Sequence, residues 1–238
     1  MRQLLLDLLP KAAPSLENFV PSGNVETLAA LSGWLAPERA RGESSFLLWG
    51  ATGSGKTHLL LASGFPYHDA RREPGLAALP EVPAHLAVDH VESLSPAGEQ
   101  ALFNAFNRAR AAGGRLLVAA SVAPAHLPLR EDLRTRLASG ALYALSPLTD
   151  EEKIAALCAQ ARARAVRFPR EAADYLLRHA PRDMRSLSAL MAALTDAALE
   201  QQHPITLPFL RNFLRDLLSA HGAPMTTEPS HAPCALRP

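Results

Sequence analysis

Eight consecutive residues, Gly50-Ala51-Thr52-Gly53-Ser54-Gly55-Lys56-Thr57, carry the most specific chemistry in the chain. They satisfy the pattern G-x-x-x-x-G-K-[ST], in which glycines let the backbone curl until successive N–H groups face one anion. A helix beginning at the lysine would bring its positive dipole end to the same place. Lys56 would reach the β- and γ-phosphates of a nucleotide, and the Thr57 hydroxyl would bind Mg2+. A plain Gly/Ser turn between a strand and a helix has a similar composition. The surroundings favour the phosphate loop: Ser45-Phe46-Leu47-Leu48-Trp49 precedes it as a short buried strand, and His58-Leu59-Leu60-Leu61 follows it as a helix.

A phosphate loop needs a second, acidic site for its metal. Leu86-Ala87-Val88-Asp89 supplies an apolar strand ending in a carboxylate, which can hold a metal-bound water. An aspartate that merely ends a strand is the plain alternative. His90 stands next, where many ATPases place the acid that orients the attacking water, and Glu92 lies two residues further on. Hydrolysis in this site is therefore expected to be slow, a weak ATPase at most.

These residues need a scaffold, and 238 residues are enough for one large domain or two small ones. Hydrophobic residues make up 48% and charged residues 20%, an ordinary globular balance that excludes wholesale disorder. Four zones are read: an arm over 1–14, an α/β zone over 15–146, a purely helical zone over 147–219, and a Pro-rich tail over 220–238. In the α/β zone, 85–89 and 115–120 join 45–49 as apolar strands. A helix over 99–112 presents Leu102, Phe103, Phe106 and Ala109 on one face and stops at Gly113-Gly114. Thr149-Asp150-Glu151-Glu152 is a capping box that opens the helical zone, with further helices over 170–179, 183–201 and 207–220. The expected fold is a parallel α/β nucleotide-binding core followed by a small helical lid.

Charge and composition narrow the partners. Lys and Arg number 24 against 23 Asp and Glu, without the basic excess that phosphate-driven DNA binding requires. Aromatics at 5% offer few stacking platforms for single strands. Cys158 and Cys234 suggest neither a zinc site nor a disulfide framework, in keeping with a reducing cytoplasm. No run reaches the roughly 20 apolar residues of a membrane span. Asp7 and Pro10 interrupt the N-terminal leucines before they reach signal-peptide length, which leaves a short sticky arm.

Over residues 2–219 the chain resembles the AAA+ family, and within it the DnaA clan, nearest to that clan's regulatory inactivators. Besides the phosphate loop, the likeness rests on Ser15-Leu16-Glu17-Asn18-Phe19-Val20-Pro21-Ser22-Gly23-Asn24, Arg130-Glu131-Asp132-Leu133-Arg134-Thr135-Arg136-Leu137, Leu148-Thr149-Asp150-Glu151-Glu152-Lys153 and Asp183-Met184-Arg185-Ser186-Leu187. The first segment lies over the adenine in this clan, so the resemblance implies that Phe19 and Val20 contact the base of ADP or ATP. It gives Arg136 the position of the arginine finger, which acts on nucleotide held by a neighbouring subunit. From the residues alone, Arg130, Arg134 and Arg136 read as solvated charges on a surface helix. Ser121 takes the sensor I position, although a plain strand-end serine reads the same way. Arg185 takes the lid position called sensor II, with Arg178 and Arg182 nearby. Gln3-Leu4-Leu5-Leu6-Asp7-Leu8 resembles the peptide with which replication proteins dock on the bacterial sliding clamp: Gln3 would bond at the groove rim while Leu4, Leu6 and Leu8 fill it from one face of an extended chain. A strand or helical turn packed on its own domain is the alternative.

The resemblance implies a regulator that binds adenine nucleotide with Mg2+, docks on the sliding clamp and stimulates ATP hydrolysis by DnaA, restraining initiation of chromosome replication. Self-association is left open. Two rivals stand beside it. A small-molecule phosphotransferase would need an acceptor pocket, and no acidic or aromatic cluster suggests one. A helicase loader or DNA remodeller of the same superfamily is disfavoured by the neutral charge. Two departures from the clan are visible. Only 32 residues separate Lys56 from Asp89, with Pro66, Pro74, Pro80 and Pro83 among them, so a clipped helix and a short strand are expected there. A Pro-rich tail stands where a DNA-binding helix-turn-helix domain would follow the lid.

Overall fold

The structure, a computed structural model, describes residues 12–36, 43–79 and 85–219. In chain order its elements are α1 (Val25–Leu35), β1 (Ser45–Trp49), α2 (Lys56–Ala62), β2 (Tyr67–Asp69), β3 (His85–Asp89), α3 (Pro96–Ala111), β4 (Arg115–Ala120), α4 (Glu131–Ala138), β5 (Ala141–Ala144), α5 (Asp150–Ala163), α6 (Arg170–His179), α7 (Met184–Glu200) and α8 (Leu207–Ser219). The three strands expected from apolar runs occur where the sequence puts them.

Successive strand side chains enter opposite cores, as a period of two requires. Phe46 and Leu48 of β1, Ala87 of β3, and Leu117 and Ala119 of β4 pack with Leu31, Trp34, Leu59 and Leu60 from α1 and α2. Leu47, Leu86, Val88, Leu116 and Val118 pack on the other face with Leu102 and Phe106 of α3 and Leu133 and Leu137 of α4. With both faces covered, the inner strands read as continuous apolar runs rather than alternating ones. Leu48, Leu86 and Leu117 are fully buried, and each such side chain contributes about 1.5–3 kcal/mol of transfer free energy.

The sheet is parallel throughout, in the order β2-β3-β4-β1-β5. β1 is followed in sequence by strands beyond β4, and this switch of direction opens a crevice at the carboxyl edge of the sheet. The loop after β1 and the end of β3 both face that edge.

The short interval between the phosphate loop and β3 holds a seven-residue α2 and a three-residue β2. The turns after β2 dock on the start of α3. There Ser95 N–H donates to Pro74 O across 3.0 Å. A Cβ on Gly98 would stand 1.9 Å from the same carbonyl oxygen, so only glycine fits. Leu76 from these turns is buried at φ +49° and fills the space beside Leu86 and Val91. β5 is not legible as a buried run, because this edge strand alternates half-buried and exposed positions and leaves Leu142 40% exposed.

The contacts of the chain divide it into two compact units at Ala156/Leu157, within α5. The capping box forms as read: Glu152 N–H donates to Thr149 Oγ1 at 3.2 Å, and Thr149 N–H donates to Glu152 Oε2 at 2.7 Å. The Ser22 hydroxyl also donates to Glu152 and, with Thr149, holds this carboxyl below the usual range. Those bonds lie within the unit Lys11–Ala156, which also holds the sheet. In the second unit, Leu157, Ala161, Leu176, Leu187, Leu194 and Leu210 form the buried stripes of α5 to α8. Asp183 caps α7 by accepting from Ser186 N–H at 2.9 Å.

Candidate nucleotide-binding site

The phosphate loop runs from Gly50, which ends β1, into α2. Gly53 and Gly55 adopt φ of +83° and +98°, the left-handed region that the curled loop requires. Lys56 Nζ donates to Gly50 O at 2.6 Å, Ala51 O at 2.9 Å and Ser54 Oγ at 3.4 Å. The ammonium thus lies inside the curl of its own loop. Burial pushes its pKa below the ordinary value; Asp89 and Glu92 oppose that shift and Arg71 adds to it. A buried cation satisfied mainly by carbonyl dipoles lacks an anionic contact within the loop, and a phosphate group would supply one.

Thr57 and Asp89 lie far apart in sequence and in direct contact in the fold. Thr57 Oγ1 donates to Asp89 Oδ2 across 2.6 Å. The Asp89 side chain is wholly buried, and its Oδ1 accepts from His90 N–H at 2.9 Å. Tyr67 on β2 also donates to Oδ2, at 3.1 Å. Burial and the Asp89 carboxylate raise the pKa of this phenol and keep it a donor. His90 adopts φ +55°, and its Nδ1 lies 3.1 Å from Asp69 Oδ1. Ser121 sits half-buried beyond β4, and its N–H donates to Glu92 Oε2 at 3.3 Å.

Oxygen donors of this kind suit a hard cation. Among the described residues no group of three His, Cys, Asp or Glu could hold a metal by itself. That fits Mg2+, which characteristically takes one or two protein ligands and completes its shell with waters and substrate phosphates. Thr57 would hold it directly, with Asp89 orienting Thr57 and a bound water.

Phe19 closes one side of the loop. Its Cε2 lies 2.6 Å from where a Cβ on Gly55 would stand, and its ring centre is 5.6 Å from that of His58. His58 Nε2 donates to Ser15 O at 2.9 Å, tying the segment before α1 to α2. Val20 is half-buried beside Phe19. Phe19 and the phosphate loop therefore adjoin.

Arg136 lies elsewhere, on α4 over α3. Its Nη1 donates to Asn107 Oδ1 at 2.5 Å, and its guanidinium carbon lies 4.4 Å from the centre of the Phe103 ring. Arg130, on the same shallow surface, bonds Gln100 at 2.9 Å and Asp132 at 3.0 Å. The sequence reads both as solvated charges. In the fold Arg136 is half-buried and seated on an aromatic ring, while Arg130 is an exposed ion pair.

A family model described as the lid domain of Hda matches residues 150–214. That stretch of the chain is therefore similar to an Hda-type lid. Among solved structures it is similar to domain III of the Thermotoga maritima replication initiation protein DnaA, with a TM-score of 0.61 and 20% identity over 87% of this chain and 98% of that one. It is similar to AMPPCP-bound DnaA from Aquifex aeolicus, with a TM-score of 0.62 and 20% identity over 85% and 70% of the two chains. The Thermotoga maritima RuvB Holliday junction branch migration motor gives 0.56 and 22% over 92% and 73%. These likenesses carry the AAA+ fold, and the matched lid carries the likeness to Hda.

In the Hda-type lid, Arg185 occupies the first turn of α7 and is exposed. Gln3, Leu4, Leu6 and Leu8 lie outside the described residues. Sequence reasoning missed Tyr67, Asp69 and Asn107. Tyr67 and Asp69 belong to a strand too short for periodicity to reveal, and only the register Asp69↔Asp89 brings them to the site. Asn107 follows the apolar stripe of α3 and carries no signal until α4 packs above it. Among the described residues no helix is long and apolar enough to cross a membrane.

Proposed function

We propose that this AAA+ protein binds ADP or ATP with Mg2+ in its phosphate loop, docks on the DNA sliding clamp through Gln3, Leu4, Leu6 and Leu8, and stimulates ATP hydrolysis by DnaA. It thereby restrains initiation of chromosome replication in the cytoplasm. The observation that carries this reading is the combination of an Hda-type lid with a seated arginine on α4, outside its own phosphate loop. A guanidinium held by Asn107 and Phe103 is oriented before any partner arrives, and orientation set in advance is what electrostatic catalysis needs. Its target would be the phosphoryl group transferring within DnaA, where such fingers contribute roughly 10³–10⁵ in rate.

Catalysis is then divided between two chains. DnaA holds the nucleotide that reacts, and this chain adds Arg136. Its own nucleotide serves the fold and the interface rather than turnover, because His90 is anchored to Asp69 where a water-orienting acid would stand. The test is hydrolysis of ATP preloaded on DnaA, with clamp-loaded DNA and with or without this protein. Acceleration that requires both clamp and protein supports the reading, and an unchanged rate with both present overturns it.

A further inference from the structure

The metal half of the site is held from an unexpected direction, the three-residue strand β2. Asp89 Oδ2 receives two hydroxyl protons, one from Thr57 Oγ1 at 2.6 Å and one from Tyr67 Oη at 3.1 Å. Oδ1 receives the His90 N–H at 2.9 Å. Three donors take the place of water around a carboxylate that has no solvent exposure. β2 lies beside β3 with Tyr67 opposite Ala87 and Asp69 opposite Asp89. Tyr67 therefore stands two register positions before Asp89, on the same face, and the length of its phenol closes that gap. Its ring packs in the same cluster as Leu59 and Leu60 of α2, so ring and hydroxyl have separate partners.

The Thr57 hydroxyl has one hydrogen. When that hydrogen is given to Asp89, the oxygen lone pairs of Thr57 are left for a hard cation. The arrangement depends on the rotamer of Asp89, because a carboxylate turned about its Cβ–Cγ bond would offer Thr57 a poorer acceptor. Oδ1 is tied by a main-chain N–H and Oδ2 by Tyr67, which together fix the plane of the carboxylate.

We propose that Tyr67 is a positioning residue of the nucleotide–metal site, its hydroxyl locking the Asp89 carboxylate so that Thr57 presents its oxygen to Mg2+. The role rests on the nucleotide-binding reading of the phosphate loop. It differs from a packing role, since phenylalanine keeps the ring and loses only the lock.

Tyr67→Phe separates the two. ADP binding is titrated calorimetrically in EDTA and across a series of Mg2+ concentrations, for wild type and variant, with thermal unfolding alongside. Affinity in EDTA should be unchanged, while the Mg2+ concentration giving half of the metal-dependent gain should rise about 10- to 100-fold, the usual cost of losing an outer partner of a metal site. Equal Mg2+ midpoints would overturn the role, as would an equal loss of affinity with and without metal. Failure of wild type to bind ADP under any condition would instead defeat the phosphate-loop reading itself, a result distinct from equal midpoints.

Discussion

Phe19 stands against Gly55: the ring atom Cε2 lies 2.6 Å from where a Cβ would be, and the glycine holds φ at +98°. The segment before α1 and the phosphate loop thus share one tight contact, and it constrains both. Gly55→Ala would meet two penalties. A left-handed backbone costs an L-residue about 1–2 kcal/mol, and the new methyl would push Phe19 off the loop. ADP affinity should fall by at least about tenfold. Calorimetric titration checks this, and undiminished affinity would mean that Phe19 does not need its present seat.

Lys56 provides a test through pH. Its pKa is depressed from 10.5, burial being the main cause. Phosphate binding uses the protonated form, so nucleotide affinity should decline on the alkaline side at a pH lower than an ordinary lysine would give. Stability of the nucleotide-free protein should respond with the opposite sign. The unfolded chain holds this proton more tightly, so the contribution of Lys56 to stability rises as pH passes from the folded pKa towards 10.5. Lys56→Ala should abolish detectable nucleotide binding and remove both trends. An alkaline profile that survives the substitution would assign them to another group.

The central strands, the lid helices and the phosphate loop were legible because each depends on local pattern: buried apolar runs, helical stripes, and glycines at fixed spacing. Ser45-Phe46-Leu47-Leu48-Trp49 needs no partner to be recognised. Legibility failed where pairing alone creates the element. Ala141-Leu142-Tyr143-Ala144 becomes a strand only because β1 offers it an edge; a short strand is expected before Asp89, but only its pairing with β3 marks Tyr67-His68-Asp69 as that strand. The site followed the same division. Lys56, Thr57 and Asp89 announce themselves by motif, whereas the hydroxyl of Tyr67 and the amide of Asn107 reach their partners through strand register and helix packing.

The arm and the nucleotide site should be separable. The sequence places Pro10 and Pro14, residue types that disfavour regular elements, between Leu8 and the segment that carries Phe19. Deleting residues 1–8 should abolish binding to the sliding clamp while leaving ADP affinity within about twofold, a difference of only ~0.4 kcal/mol. Surface plasmon resonance on immobilised clamp, paired with nucleotide titration, measures both. Clamp affinity that is equal before and after truncation would return the leucines to packing.

Arg136 offers the sharpest separation, because its seat is built from another helix of its own core. Asn107 accepts from Nη1 at 2.5 Å and Phe103 lies beneath the guanidinium at 4.4 Å. A cation–π contact of this kind contributes about 0.5–2 kcal/mol, enough to favour one rotamer and still release it to a stronger anionic partner. Arg136→Ala should therefore retain ADP and clamp binding and lose stimulation of DnaA, with the defect in the hydrolysis step rather than in complex formation. Lysine should rescue poorly, since a point charge reproduces neither the planar fork nor the stacking. Phe103→Leu should fall between wild type and Arg136→Ala: it keeps the cation and loosens its seat, so the rate should drop by about tenfold or less, ~1.4 kcal/mol of barrier. Single-turnover hydrolysis of ATP preloaded on DnaA, with clamp on DNA, ranks the three variants. A Phe103→Leu rate equal to wild type would show that the ring only packs, and wild-type rates from Arg136→Ala would move the search for the stimulating cation to Arg130 and Arg134.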